Sequence, residues 1–217
     1  MQLLIATENE HKLREISRLF ADMPQIHLVS LRDYSDLKLP PETGLTMREN
    51  ARIKADYCAR ATGLPSLADD SGIEVDALNG EPGVYSARWA EGSDADRMHA
   101  LVARVKDVPV ESRTARYRCA VCLSRLEPAN SGNQSNSTEN DLIREEVEAI
   151  CEGRIIDTPR GHNGFGYDPV FEIIEATGTG EQWIGYTMAE VPPGIKAQVS
   201  HRARAVAAIK PYLLALV

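Results

Sequence analysis

The chain has 217 residues, 43% of them hydrophobic, and carries a formal net charge of -8. That is enough chain to bury a substantial core, as one domain or one domain with two lobes. The acid excess argues against a nucleic-acid partner, since a phosphate-backbone binder presents a basic face. No apolar run approaches the roughly 20 residues of a membrane span, and Met1 to Ala6 is too short for a signal peptide, so no membrane partner is expected. Four cysteines, Cys58, Cys119, Cys122 and Cys151, are spread through a chain too large to need stapling. A reduced, cytoplasmic protein is the plain expectation.

Leu3 to Ala6 reads as a buried strand, broken by Thr7-Glu8-Asn9 and followed by Leu13, Ile16, Leu19 and Phe20 at helical spacing. Strand, polar loop, helix aims free backbone N–H groups at an anion. Thr7, Asn9 and Lys12 supply a hydroxyl, an amide and a cation there. The alternatives, a phosphate mouth and an ordinary capped helix with solvated polar residues, are open at this point. Ile26 to Ser30 reads as a second strand. The proline-containing stretch Asp36 to Gly44 carries Glu42 and cannot be regular helix.

Thr46 with Glu49 fits a capping box for a helix running to Thr62, with Ala51, Lys54, Ala55, Cys58 and Ala59 on one face. Gly63-Leu64-Pro65 stops it, and the chain enters SLADDSGIEVDALNGEPGVYSAR, Ser66 to Arg88. Successive strand side chains point to opposite faces, so Asp69 and Asp70 share a cleft only if the backbone turns, which Ser71-Gly72 permits. Carboxylates at such a place suit Mg2+; a surface turn with solvated acids is the alternative. Glu42 lies near Asp70 if loop and strand end at the same edge.

Ala95 to Lys106 is amphipathic, and Thr114 to Leu126 reads as a strand. The Cys119-x-x-Cys122 pair inside that strand has no second pair to complete a zinc site and is expected to be two ordinary strand cysteines. Glu127 to Asp141 has nothing to bury and is expected to be a disordered loop insertion. Glu146 to Ile156 reads as a strand. TPRGHNGFGYDPVF then brings glycines around Phe165 and Tyr167, either a tight turn with core aromatics or a place where backbone and ring approach a flat ligand. After Pro192-Pro193-Gly194, Ser200 is a suitable N-cap for a helix from His201 towards Pro211. His201 and Arg202 in its first turn oppose the helix dipole and call for an acceptor or anionic partner.

TENEHK, ETGLTMRENARIKA, LADDSGIEVDALNGEPGVYSAR, PRGHNGFGYDPVF and KAQVSHRARA, in that order from residue 3 to about 210, resemble the inosine triphosphatase or HAM1-like family of non-canonical purine nucleoside triphosphate pyrophosphatases. The resemblance implies an α/β fold with a long twisted mixed sheet, helices and two lobes around a nucleotide cleft, a single domain over 1–217, and a homodimer. It implies Mg2+-dependent hydrolysis of ITP, dITP and XTP to monophosphate and pyrophosphate. Carried over by position, it implies that Asp70 is the catalytic base and that Glu42 and Asp70 hold the metal. Substrate contacts fall to the Thr7, Glu8, Asn9, Glu10, His11, Lys12 stretch, to Ser71, and to Phe165, Gly166, Tyr167, Asp168, Lys196, His201 and Arg202. A nucleotide-binding regulator without turnover and a phosphatase releasing orthophosphate are the rivals. Three departures stand out: the Glu127 to Asp141 insertion is longer than the family hairpin, Pro192-Pro193-Gly194 replaces the usual acidic helix start, and Ala197 stands where asparagine is common.

Overall fold

The computed structural model of the protein describes residues 1–127 and 142–216. The stretch expected to be a loop insertion, Glu127–Asp141, lies outside them apart from Glu127. Six strands form one mixed sheet in the order β2-β1-β3-β4-β5-β6. The chain separates into two compact units, Met1–Asp70 with Ala120–Val147 and Ala207–Val217, and Ser71–Cys119 with Glu148–Val206.

In the first unit, β1 (Gln2–Ile5) buries Leu3, Leu4 and Ile5. It runs parallel to β2 (His27–Ser30) and to the start of β3 (Ser66–Val75), pairing Leu4 with both Val29 and Ser66. Parallel neighbours need crossovers. These are α1 (Glu10–Leu19) and α2 (Met47–Thr62). β1 to β2 steps outward, and β2 to β3 steps back past β1. Right-handed crossovers therefore place α1 and α2 on opposite faces of these strands. The Thr46 hydroxyl accepts from the Glu49 N–H at 3.2 Å and the Glu49 carboxylate accepts from the Thr46 N–H at 3.3 Å, so the capping box is present. Gly63 ends α2 in the left-handed region at φ +72°.

In the second unit, α3 (Asp94–Val105) lays Met98, Leu101 and Val105 on a core with Ile73, Phe171 and Val199. β4 (Thr114–Leu126) and β5 (Leu142–Ile155), each divided between the two units, and β6 (Phe171–Ile173) complete the sheet, with β6 antiparallel to β5. Helices α4 (Pro193–Val199) and α5 (His201–Leu214) follow. All four cysteines are buried thiols outside any disulfide. Burial pushes the Cys122 thiol up to about 12, which keeps it an unreactive thiol rather than a nucleophilic thiolate. No helix among the described residues is long and apolar enough to cross a membrane.

Three expectations change. Ser71-Gly72 makes no turn: β3 is continuous through it. β5 begins at Leu142 rather than Glu146. α5 continues three residues past Pro211; the carbonyl that proline leaves without an N–H belongs to Ala207, which is exposed and can be solvated.

Candidate active site

The first unit gathers its charges around the C-terminal part of its run of β3. Asp69 and Asp70 are buried, 1% and 7% exposed, and neighbouring strand residues point to opposite faces. No turn is needed, because each aspartate meets a lysine from a different helix. Lys12 of α1 pairs with Asp69 at 3.1 Å, and Lys54 of α2 stands 3.9 Å from Asp70 Oδ1. Lys54 Nζ also donates to Glu42 Oε1 at 2.6 Å and to the Asp69 carbonyl at 2.8 Å. Glu42 and Asp70 are thus brought to one ammonium, as the topology suggested.

Asn50, fully buried on α2, joins the same group. Its Nδ2 donates to Asp70 Oδ2 at 3.1 Å while its Oδ1 accepts from the Gly44 N–H at 2.8 Å, tying the loop that carries Glu42 to the strand. Asn50 and Lys54 are site residues the sequence reading lacks, and Asp69, read there with Asp70 as a candidate cation ligand, is instead the partner of Lys12. The signal was there for Lys54: a lysine in the apolar stripe of Ala51, Ala55 and Cys58 must reach a buried anion.

Three carboxylates share two ammonium groups, leaving one net negative charge in a buried place. Burial lifts the Asp70 pKa above the ordinary carboxylate value; Lys54 and Lys12 offset that only in part, and Glu42 reinforces it. Burial pulls Lys54 down, but Asp70, Asp69 and Glu42 more than compensate and hold it charged. An anionic nest of hard oxygen donors fits a divalent cation. Among the described residues no three His, Cys, Asp or Glu side chains form a closed cage. An open pair such as Glu42 and Asp70 matches Mg2+, which usually takes one or two carboxylates and completes its shell with phosphate and water.

At the mouth of α1, Asn9 Oδ1 accepts from the His11 and Lys12 N–H groups at 2.9 and 3.1 Å, so the helix cap is real. Thr7 Oγ1 accepts from the Asn9 N–H at 3.3 Å, which leaves the hydroxyl proton to donate. Glu8 is exposed. Glu10 pairs with Arg32 and Arg14, and His11 shares a hydrogen bond with Arg14, so these two are engaged on the outside of the helix.

The second unit holds the other group. Lys196 on α4 and Asp168 form a buried pair at 2.7 Å, and the same Asp168 Oδ2 accepts from the Phe165 N–H at 2.9 Å. Gly164, at φ +79°, has to be glycine: a Cβ there would lie 1.9 Å from Asp168 Oδ2. Lys196 Nζ and the Arg202 guanidinium stand 5.2 and 5.9 Å from the centre of the half-buried Phe165 ring. Arg202, 2% exposed, donates to Ser71 Oγ at 2.7 Å, an acceptor of the kind its position demanded. His201 stacks on Tyr117, rings 4.6 Å apart and 15° from parallel. Tyr167 is buried, its hydroxyl donating to the Ser86 carbonyl at 2.8 Å, and Gly166 N–H donates to Asp94 at 3.0 Å. Asp70 of the first group and Ser71 of the second are joined by one peptide bond.

Residues 3–212 match the Ham1 family. A dITP/XTP pyrophosphatase of Geobacter sulfurreducens is 42% identical over 214 residues, covering 98% of this chain and 96% of the relative. One of Symbiobacterium thermophilum is 44% identical over 206 residues, covering 95% and 91%. The solved structure of a HAM1 protein from Coxiella burnetii superposes with a TM-score of 0.78 at 33% identity, covering 99% of this chain and 98% of that one. With the family match spanning almost the whole sequence and relatives this similar from end to end, the chain belongs to the Ham1 family.

Proposed function

We propose that this protein hydrolyses non-canonical purine nucleoside triphosphates, among them dITP, ITP and XTP, to the monophosphate and pyrophosphate. The observation that carries the reading is the net-anionic group of the buried Asp69 and Asp70 and the half-buried Glu42, knit by Lys12 and Lys54, in a member of a family whose relatives are named dITP/XTP pyrophosphatases. A nest with one excess negative charge repels a triphosphate unless a cation joins it. Glu42 and Asp70 would hold Mg2+, which when bound supplies charge neutralisation on the phosphate oxygens.

The chain's own residues then have defined work. Lys12 exchanges part of its pairing with Asp69 for phosphate oxygens. Asp70, poised by burial to hold a proton more readily than an ordinary carboxylate, takes one from the attacking water, which suits a base working near neutral pH. The new bond forms between water oxygen and the α-phosphorus; the bond from that phosphorus to the bridging oxygen breaks, and pyrophosphate leaves as a unit. Asn50 fixes Asp70 Oδ2, so Oδ1 is the oxygen that accepts the proton. Phe165, Asp168, Lys196, His201 and Arg202 recognise the base and sugar, with Ser71 set against the substrate by Arg202. One domain over 1–217, a homodimer and a cytoplasmic location complete the reading; buried, protonated thiols suit a reducing compartment.

A panel of dITP, XTP, dGTP and dATP with Mg2+, with products separated by anion-exchange chromatography, tests this. Monophosphate and pyrophosphate from dITP and XTP, lost on adding EDTA, is the expected result. Orthophosphate as the first product would favour a phosphatase, and binding without turnover a regulator.

A further inference from the structure

The turn Gly164–Asp168 is tied at successive residues to one distant segment, 83–94. The Tyr167 hydroxyl donates to the Ser86 carbonyl at 2.8 Å, and the Gly166 N–H donates to Asp94 Oδ2 at 3.0 Å. Ser86 is buried, 7% exposed, and its hydroxyl works in both directions. It accepts the Ile73 N–H at 2.8 Å and donates to the Gly83 carbonyl at 2.6 Å. Ile73 lies two residues beyond Ser71 on β3, so Ser86 clasps the strand that carries Ser71. Asp94 opens α3 and is itself steadied by Arg97 at 2.5 Å. The segment therefore holds the strand with one hand and the turn bearing Phe165 and Asp168 with the other.

This arrangement meets β3 at Ile73, beyond Asp69 and Asp70, while Lys12 and Lys54 lie on α1 and α2. It bears on whether Phe165, Asp168 and, through Asp168, Lys196 stand where a base would meet them. We propose that Ser86 and Asp94 are positioning residues for base recognition, acting by fixing the Gly164–Asp168 turn. The proposal rests on the pyrophosphatase reading above. A loosened turn costs affinity for the nucleotide more than it slows the attack on phosphorus, because the base is bound alike before and during that step.

The test is steady-state kinetics of dITP hydrolysis with five proteins: wild type, Asp94→Ala, Asp94→Asn, Tyr167→Phe and Ser86→Ala. Asp94→Ala and Tyr167→Phe each remove one hydrogen bond to the turn, which predicts a KM about fivefold to tenfold higher, with kcat little changed. Asp94→Asn keeps an acceptor for the Gly166 N–H and should return KM close to wild type. Ser86→Ala keeps the carbonyl that Tyr167 uses but removes the clasp on Ile73, and should raise KM in the same direction; should that buried change fail to fold, Asp94, whose side chain is 48% exposed, decides the matter alone. An unchanged KM in Asp94→Ala, a fall in kcat as large as the rise in KM, or an asparagine variant as poor as alanine overturns the proposal. Turnover of dITP by the wild type in the same assay keeps this outcome separate from failure of the functional reading itself.

Discussion

Replacing Asp70 by asparagine should separate the chemistry of the site from its stability. The asparagine has the same shape, keeps an oxygen for the Asn50 amide that now stands 3.1 Å from Asp70 Oδ2, and removes one of three carboxylates that share Lys12 and Lys54. The group passes from one excess negative charge to balance. Burial raises the Asp70 pKa in the folded protein, so the native state binds that proton more tightly than the unfolded chain does. Stability then falls as pH climbs from the ordinary carboxylate pKa through the raised one. At neutral pH the ionised aspartate is a net cost, and asparagine relieves it. Tm of Asp70→Asn, measured at pH 7 in EDTA by differential scanning calorimetry, should equal or exceed that of wild type. The difference should shrink as pH drops through the raised pKa and close below the ordinary carboxylate value, where Asp70 is neutral in both the folded and the unfolded chain. Turnover of dITP should fall by about 10²–10⁴-fold, the usual contribution of a general base. A variant within threefold of wild-type activity removes Asp70 from that role. A variant that is inactive but melts far below wild type shows instead that Asp70 is a structural anchor, and the charge argument fails.

Lys54→Met is the reverse experiment. Its side chain, 6% exposed, is shared by the half-buried Glu42 and the buried Asp70; leaving Asp70 buried without it should cost about 3–5 kcal/mol at neutral pH, read from urea midpoints, and the loss should shrink in acid as the carboxylates protonate. A cost below about 1 kcal/mol would place their charges in solvent. Gly164→Ala should cut kcat/KM for dITP far more than Gly166→Ala. Both glycines have positive φ, +79° and +62°, but only at Gly164 would a Cβ strike Asp168 Oδ2 and crowd Lys196, so equal effects would mean that backbone strain alone is being read. Arg202→Ala should narrow the preference for ITP over ATP, chiefly by lost ITP activity. Arginine offers donors only, which suit a 6-keto acceptor and clash with a 6-amino donor; an unchanged ITP-to-ATP ratio of kcat/KM would move base selection elsewhere.

What could be read in advance follows from which forces are local. The capping box of Thr46 and Glu49, the Gly63 stop and the full extent of β4 were legible because each is settled by neighbours in the chain. The turn expected at Ser71-Gly72 failed for the opposite reason. Read alone, two adjacent aspartates on a strand look as if one must be turned into place. The fold solves this by bringing lysines from α1 and α2, and so from opposite faces, and nothing within ten residues of Asp70 announces Lys12 or Lys54. Helix α4 was missed because Pro192-Pro193-Gly194 reads as a break. A proline at the first helical position costs nothing, since its missing N–H has no partner there, and Pro193 occupies that place. The helix it starts sets Lys196 against Asp168 despite the unusual lead-in. Lys54 stood in plain view among alanines, and a charge in an apolar stripe has only two outcomes: a surface the pattern misjudged, or a buried partner. Asking where its partner could be would have led from α2 to Glu42 and the two aspartates. Buried cations are therefore the residues from which a site of this kind is best sought, because burial compels them to name their anions.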